Sequence, residues 1–399
     1  MNRRQMMMLS SGTLALRPGA AQSQNAPAKA GGKTPDQLLL KDYRPVSIYK
    51  IPKTEITKAK YPVFDAHFHG VRPVEELDKS VKIMDAAGME KTVIYTAANS
   101  AERFAEVSKP YLKYPDRFEM WCSFDLSGVD QPGFGPKALK ALEDCHRAGA
   151  KGVGEITDKG WGIPVAARNV GAAAKAGPSA AAGIPRGSEI PTVRGPHPDD
   201  PRMDALWEKC AQLGMPINIH ISDPISAYQP QDEHNDGLMN GWTWRIDDKV
   251  PGILGHEGLI QSLDRALAKH PKTVFIACHL MNLDYDLTRL GGMLDRHPNL
   301  YTDISARFCE TAATPRAAAR FIQKYQDRVL YATDMPHNPG ILSTTFRILE
   351  TDDEHFYEQD LYFNFDYHWP MHGFALPAVV LKKMYKDNAM RAFKQAGRA

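Results

Sequence analysis

The chain has 399 residues with 43% hydrophobic and 24% charged content, values near the soluble globular average, so a large core is available and global disorder is excluded. Lys plus Arg number 49 against 47 Asp plus Glu, a net charge of +2, which gives no electrostatic footprint for nucleic acid or an anionic membrane. A small-molecule partner is expected.

In chain order, the N-terminus places Arg3-Arg4 before the apolar runs 6–9 and 13–16 and the small residues Gly19-Ala20-Ala21. This is similar to a twin-arginine export signal over 1–25, which implies a periplasmic or secreted protein; a disordered basic leader on a cytoplasmic protein is the alternative. Residues 26–60 are polar and rich in Pro and Lys, the composition of a linker followed by a strap on the domain. The five cysteines have no C-x-x-C spacing and are expected to be small core residues rather than a disulfide framework. No stretch after the leader has the length of a membrane span, and the sequence leaves homo-oligomerisation open.

From Tyr61 to about residue 396 the chain alternates short β-branched or aromatic runs with helical-period segments, the pattern of a parallel sheet with crossover helices. Eight strands are predicted, at 63–68, 92–97, 118–124, 152–156, 217–221, 273–277, 300–304 and 329–333. Helices are predicted at 73–87, 135–147, 201–213, 259–269, 314–325 and 378–395. Eight strands close the commonest α/β barrel, the (β/α)8 or TIM barrel, with an open doubly wound sheet as the alternative. Long loops are expected after strand four (163–198) and strand eight (336–376), on the C-terminal face where substrate loops belong.

The chemistry begins with Asp65-Ala66-His67-Phe68-His69. The two-residue strand period turns His67 and His69 to one side, where two imidazoles can share a metal. Alone the pair is a weak signal. His220 and His279 then each close an apolar strand, and Asp334 closes strand eight. These side chains share the C-terminal ends of strands one, five, six and eight, which converge around a single barrel mouth. Burying such polar groups together costs a few kcal/mol each unless something coordinates them, so a metal site is expected. Glu155, at the tip of strand four, is a further ligand or a holder of a substrate donor. Arg307 is a candidate carboxylate clamp, and Trp161, Trp242, Trp244, His256 and His337 are candidates to line the pocket.

The motifs DAHFH, INIHISDP, FIACHLMN and YATDMP together resemble the amidohydrolase superfamily, in its amidohydrolase-related branch, across roughly 61–394. The resemblance implies metal ligation by His67, His69, His220 and Asp334, with His279 as the water-orienting histidine. Glu155 stands where some members carry a carbamylated lysine, which points to one metal per chain rather than a carbamate-bridged pair. Zinc is implied, with manganese as the alternative. The implied reaction is hydrolysis of an amide, ester or lactone, with Asp334 and His279 managing the proton. Non-oxidative decarboxylation of a small carboxylic acid and a non-catalytic binding barrel are the other readings.

Overall fold

The computed structural model describes residues 32–165, 194–358 and 369–398. The chain divides into two units, Met1–Asp42 and Tyr43–Ala399. The described part of the first holds a 3-10 turn, Leu40–Asp42, and an ion pair of 2.8 Å between Lys33 and Asp42. The expected leader lies outside the described residues.

The second unit is an α/β barrel. Its strands are β1 (Val63–Asp65), β2 (Met89–Tyr95), β3 (Phe118–Trp121), β4 (Val153–Asp158), β5 (Ile217–Ile221), β6 (Phe275–Ala277), β7 (Leu300–Asp303) and β8 (Val329–Leu330). All pair in parallel, as β1-β2-β3 and as β4-β5-β6-β7-β8. Two seams join these sheets. At one, Cys122 just past β3 bridges in parallel to Val153. At the other, Ala66 N–H donates to the Tyr331 carbonyl (3.1 Å) and Asp334 N–H to the His67 carbonyl (2.9 Å).

Between the strands run α1 (Leu77–Ala87), α2 (Ala101–Ser108), α3 (Phe134–Arg147), α4 (Pro201–Gln212), α5 (Leu238–Trp244), α6 (His256–Lys269), α7 (Leu287–Arg296), α8 (Phe308–Ala313), α9 (Pro315–Lys324), α10 (Pro339–Glu350), α11 (Ala378–Lys382) and α12 (Asn388–Gln395). Their starts follow local chemistry. Asp200 caps α4 by accepting from Arg202 N–H, with Pro201 in the first turn, and Asp286 caps α7 through Arg289 N–H. Each cap satisfies an N–H the helix itself leaves unpaired.

The stretch 336–376, expected as one long loop, instead contains α10. Asn338 caps it by accepting from Gly340 and Ile341 N–H, Pro339 opens it, and Ile341, Leu342, Phe346, Ile348 and Leu349 are buried. The C-terminal helix expected at 378–395 is interrupted by a π-turn at Lys383–Asp387. There the Met384 carbonyl accepts from Tyr331 N–H at 2.8 Å, so a barrel-strand neighbour takes an acceptor that a regular helix would use internally. A further excursion, 222–255 with α5 inside it, has no counterpart among the predicted loops. Of the loop after β4, residues 166–193 lie outside the described set. Within the second unit, Thr54 binds the Asp353 carboxylate through N–H (2.8 Å) and hydroxyl (2.7 Å), and Ser343 donates to the Ile56 carbonyl. All five cysteines are buried and free.

The β3–β4 seam is close-packed. A Cβ on Gly152 would run into the Trp121 indole, and Trp121 is fully buried. Gly152→Ala should therefore lower the unfolding free energy by about 1–3 kcal/mol, read from urea denaturation; an unchanged midpoint would contradict this account of the seam.

Candidate metal centre

The strand tips place the predicted side chains at one mouth. His67, just past β1, is fully buried. Its Nδ1 faces Asp303 Oδ2 (3.6 Å) and Ser305 Oγ (3.3 Å). Its Nε2 points inward, 3.4 Å from His69 Nε2, 3.6 Å from Asp334 Oδ1 and 3.8 Å from Glu155 Oε1. His69 Nε2 lies 3.2 Å from Asp334 Oδ1 and 3.6 Å from Glu155 Oε2.

Glu155 is the hub. The β4–β5 pairing steps from Val153↔Ile217 to Ile156↔Ile219, so β4 carries one extra residue in the interval containing Glu155, the kind of bulge that re-aims a side chain beside a site. Glu155 Oε1 then meets His220 Nδ1 at 2.7 Å and His279 Nε2 at 3.3 Å. Three donor groups overlap here: His67, His69 and Glu155; His67, His279 and Asp334; and Glu155, His220, Cys278 and His279, with the donor atoms in each group within 4.8 Å of one another. His67 and His69 thus stand between the Glu155 carboxylate on one side and Asp334 on the other. His220 reaches them through Glu155, and its other nitrogen is 3.5 Å from Asp223 Oδ1.

Hydrogen-bond partners fix the tautomers. His279 Nδ1 is 2.9 Å from the Ser305 carbonyl, which can only accept, so Nδ1 carries the proton and the neutral ring turns a lone pair toward Glu155 and Asp334. His67, with Nδ1 toward Asp303, presents Nε2 in the same way. Lone pairs and carboxylate oxygens facing one another repel unless a cation or proton lies between them. The electrostatics agree. Burial lowers the His67 pKa, but Asp334, Asp303 and Glu155 outweigh it and lift the group to about 9. Burial and the His220 charge push His279 down. Burial opposes ionisation of Glu155 and Asp334, yet the neighbouring imidazoles hold both below the usual carboxylate range. The pocket therefore demands positive charge.

The residues fit a divalent metal by distance as well. Metal–nitrogen bonds of about 2.0–2.1 Å in a tetrahedral site put ligand atoms about 3.3 Å apart. The His67–His69 separation and those from each of the two to Asp334 and to Glu155 run from 3.2 to 3.8 Å.

Supporting residues went unnoticed in the sequence. Asp303 accepts from His279 N–H (3.2 Å), Ser305 Oγ (2.5 Å) and Asn218 Nδ2 (3.2 Å) while facing His67. It ends β7 as Asp334 follows β8, a signal that was available. Asp65 binds Thr333 N–H (2.9 Å), Thr333 Oγ1 (2.6 Å) and His67 N–H (3.1 Å). Burial lifts it to about 7 against those three donors.

The substrate candidates fare differently. Arg307 is buried and engaged by its own chain: Nε and Nη2 bind Asn282 Oδ1 (3.2 and 2.5 Å), Nη1 lies 3.3 Å from Glu310 and Nε 3.6 Å from Asp284. Trp161 packs into an apolar cluster with Ile246 and Ile253. Trp242 is half exposed with the Arg245 guanidinium 3.9 Å over its ring, and Lys159 sits 4.6 Å over Trp244. His256 is buried against the Asn282 carbonyl (3.0 Å). His337 stacks on Phe68 and binds Ser80 (2.5 Å); burial pushes its pKa down to about 3. It nevertheless lines a cleft of about 260 Å³ that His69, Asp334, Phe68 and Arg72 share.

The tips are also conformationally strained. Ala97, Ser222, His279 to Asn282, Ala306 and Asp334 all have φ between 50° and 70°, a region costing roughly 1–2 kcal/mol per non-glycine residue. Such residues persist where surrounding contacts over-determine them, commonly at functional sites.

A family model described as Amidohydrolase matches residues 64–395. Solved structures similar to this chain include an uncharacterised TIM-barrel protein from Bordetella bronchiseptica, at 16% identity and TM-score 0.47, covering 84% of this chain and 100% of that one. A 2,6-dihydroxybenzoate decarboxylase shares 17% identity at TM-score 0.48, covering 84% and 99%. A 4-oxalomesaconate hydratase from Rhodopseudomonas palustris shares 14% at TM-score 0.44, covering 84% and 96%. No curated protein matches the sequence.

The raised pKa of His67 gives the metal-free protein a pH signature. A group whose folded pKa exceeds its unfolded value, here about 9 against 6.5, adds stability that is complete below the unfolded value and lost as pH rises through the folded one. Chelator-treated protein should melt at progressively lower temperature between pH 6.5 and 9, and His67→Gln should flatten that slope. A slope that His67→Gln leaves intact would assign it to other groups.

Proposed function

The chain belongs to the amidohydrolase family, and from that premise we propose that it is a metal-dependent hydrolase acting on an amide, ester or lactone of a small molecule. The observation that carries the reading is the convergence of the His67, His69 and His279 nitrogens on the Glu155 and Asp334 carboxylates. His67, His69, Asp334 and Glu155 would hold the ion, zinc by their chemistry with manganese as the alternative. When bound, such a metal polarises a substrate oxygen and brings the pKa of a coordinated water to about 7.

The chain's own residues handle the proton. Asp334 is held ionised by its imidazole neighbours and is the base that takes a proton from the attacking water and returns it to the leaving group. His279, neutral and protonated on Nδ1, offers Nε2 as an acceptor that orients the water, 4.0 Å from Asp334 Oδ2. That tautomer does not serve for polarising a carbonyl by donation.

One ion per chain is the primary reading; the group of Glu155, His220, Cys278 and His279 is the place a second would take. Decarboxylation requires a cation to hold the substrate carboxylate, and the engagement of the Arg307 guanidinium by Asn282, Asp284 and Glu310 leaves hydrolysis the better supported reading. A binding barrel without chemistry would have no need to keep the whole ligand set. Export to the periplasm or beyond rests on the sequence of residues 1–25. Among the described residues no helix is long and apolar enough to cross a membrane.

Metal-depleted protein, reconstituted with zinc or manganese, should hydrolyse members of a panel of lactones, esters and amides. Asp334→Asn should lower kcat by about 100- to 10,000-fold with the fold retained by circular dichroism. Turnover in Asp334→Asn near that of the wild type would overturn the mechanism, and release of carbon dioxide from a carboxylic acid panel would replace it with decarboxylation.

A further inference from the structure

Past β6 the chain makes a left-handed turn of four consecutive non-glycine residues, His279, Leu280, Met281 and Asn282, with φ of 58°, 51°, 58° and 50°. The turn begins at the histidine assigned to the water and ends at a fully buried asparagine. Something must hold it, because L side chains disfavour this conformation at every one of the four positions.

The Asn282 side chain spends its whole hydrogen-bonding capacity on the neighbouring strand tips. Its Nδ2 donates to the Ile221 carbonyl (3.0 Å), at the end of β5, and to the Ser222 carbonyl (3.2 Å), just past it. Its Oδ1 accepts from Arg307 Nε (3.2 Å) and Nη2 (2.5 Å), beyond β7. Its backbone carbonyl accepts from His256 Nε2 (3.0 Å). Arg307 is fixed in turn by the Ala306 carbonyl (2.7 Å), Glu310 (3.3 Å) and Asp284 (3.6 Å). A single amide thus ties three strand tips, and each tie lands close to the centre: Ile221 follows His220, Asn282 ends the turn that His279 starts, and Arg307 lies two residues past Ser305, whose carbonyl fixes the His279 tautomer.

We propose that Asn282 and Arg307 form a clasp that positions the His279 and His220 rings against Glu155, making both of them positioning residues. The proposal rests on the reading that His279 works at the metal centre. Arg307, which the sequence offered as a substrate clamp, acts here through Asn282. A guanidinium suits the task because its rigid planar fork brings the Nε and Nη2 N–H groups together onto the one Asn282 oxygen, which a lysine ammonium does not reproduce.

The test uses full-length, zinc-loaded protein labelled at histidine with carbon-13 and nitrogen-15, the His279 and His220 signals being assigned through His279→Gln and His220→Gln. In Asn282→Gly, glycine accepts the left-handed backbone, so the turn can persist without the clasp. Its His279 and His220 signals should move beyond their linewidths or split into several, while that of His146, on α3, stays in place. Asn282→Asp keeps the Arg307 acceptor but loses the donors to Ile221 and Ser222, and should give a smaller displacement. Unmoved, single His279 and His220 signals in a folded Asn282→Gly variant would overturn the proposal. Should that variant fail to fold, Arg307→Lys decides by the same readout. The signals are read without substrate, so a failure of the proposed hydrolysis would not be mistaken for a failure of the clasp.

Discussion

The centre depends on one electrostatic constraint: imidazole lone pairs aimed at carboxylate oxygens in a buried pocket, with a cation required between them. His67 and His279 each have their Nδ1 engaged on the far side, by Asp303 and by the Ser305 carbonyl, and this turns the Nε2 of each inward. Glu155 and Asp334 face those nitrogens at 3.3 to 4.0 Å. Without an ion the pocket answers the demand with a proton, which is the physical content of the raised His67 pKa. A divalent metal would meet the same demand with positive charge of its own.

The fold serves that constraint through its strand tips. Asp65 joins β1 to the end of β8 by binding Thr333, while the Asp334 N–H bonds the His67 carbonyl. Two members of the centre are thereby held by the seam that joins the sheets. Asp303 does the same between β6 and β7, reaching His279 N–H, Ser305 and His67. The left-handed residues collected at these tips are tolerated because such contacts leave them little alternative, and a rigid mouth places donor atoms far more closely than a mobile loop does.

Much of this was legible in the sequence, for identifiable reasons. The strands showed as apolar runs, and a His, Asp or Glu closing runs one, four, five, six and eight marked their tips, so His67, His69, His220, His279, Asp334 and Glu155 could be brought to one mouth before any geometry was known. Asp303 carried the same mark and was passed over because no histidine pattern drew attention to β7. The helix α10 was hidden inside an expected loop although Asn338-Pro339 and its apolar spacing announced it. The fate of Arg307 was not readable, because its partners Asn282 and Asp284 follow β6 and meet it only through the fold. The engagement of His337 with Ser80 is likewise a contact between segments distant in sequence. Periodicity finds elements and their ends; it does not say which polar group another polar group will find.

The central claim, that the converging nitrogens and carboxylates hold a metal, is tested most directly by metal content. Purified wild type and a His67→Ala/His69→Ala double variant would be compared by inductively coupled plasma mass spectrometry. The account predicts about one tightly bound zinc or manganese per chain in the wild type, lost in the variant while the fold is retained. A wild-type protein that binds no metal even after reconstitution would contradict it, and would leave His67, Glu155 and Asp334 sharing protons alone.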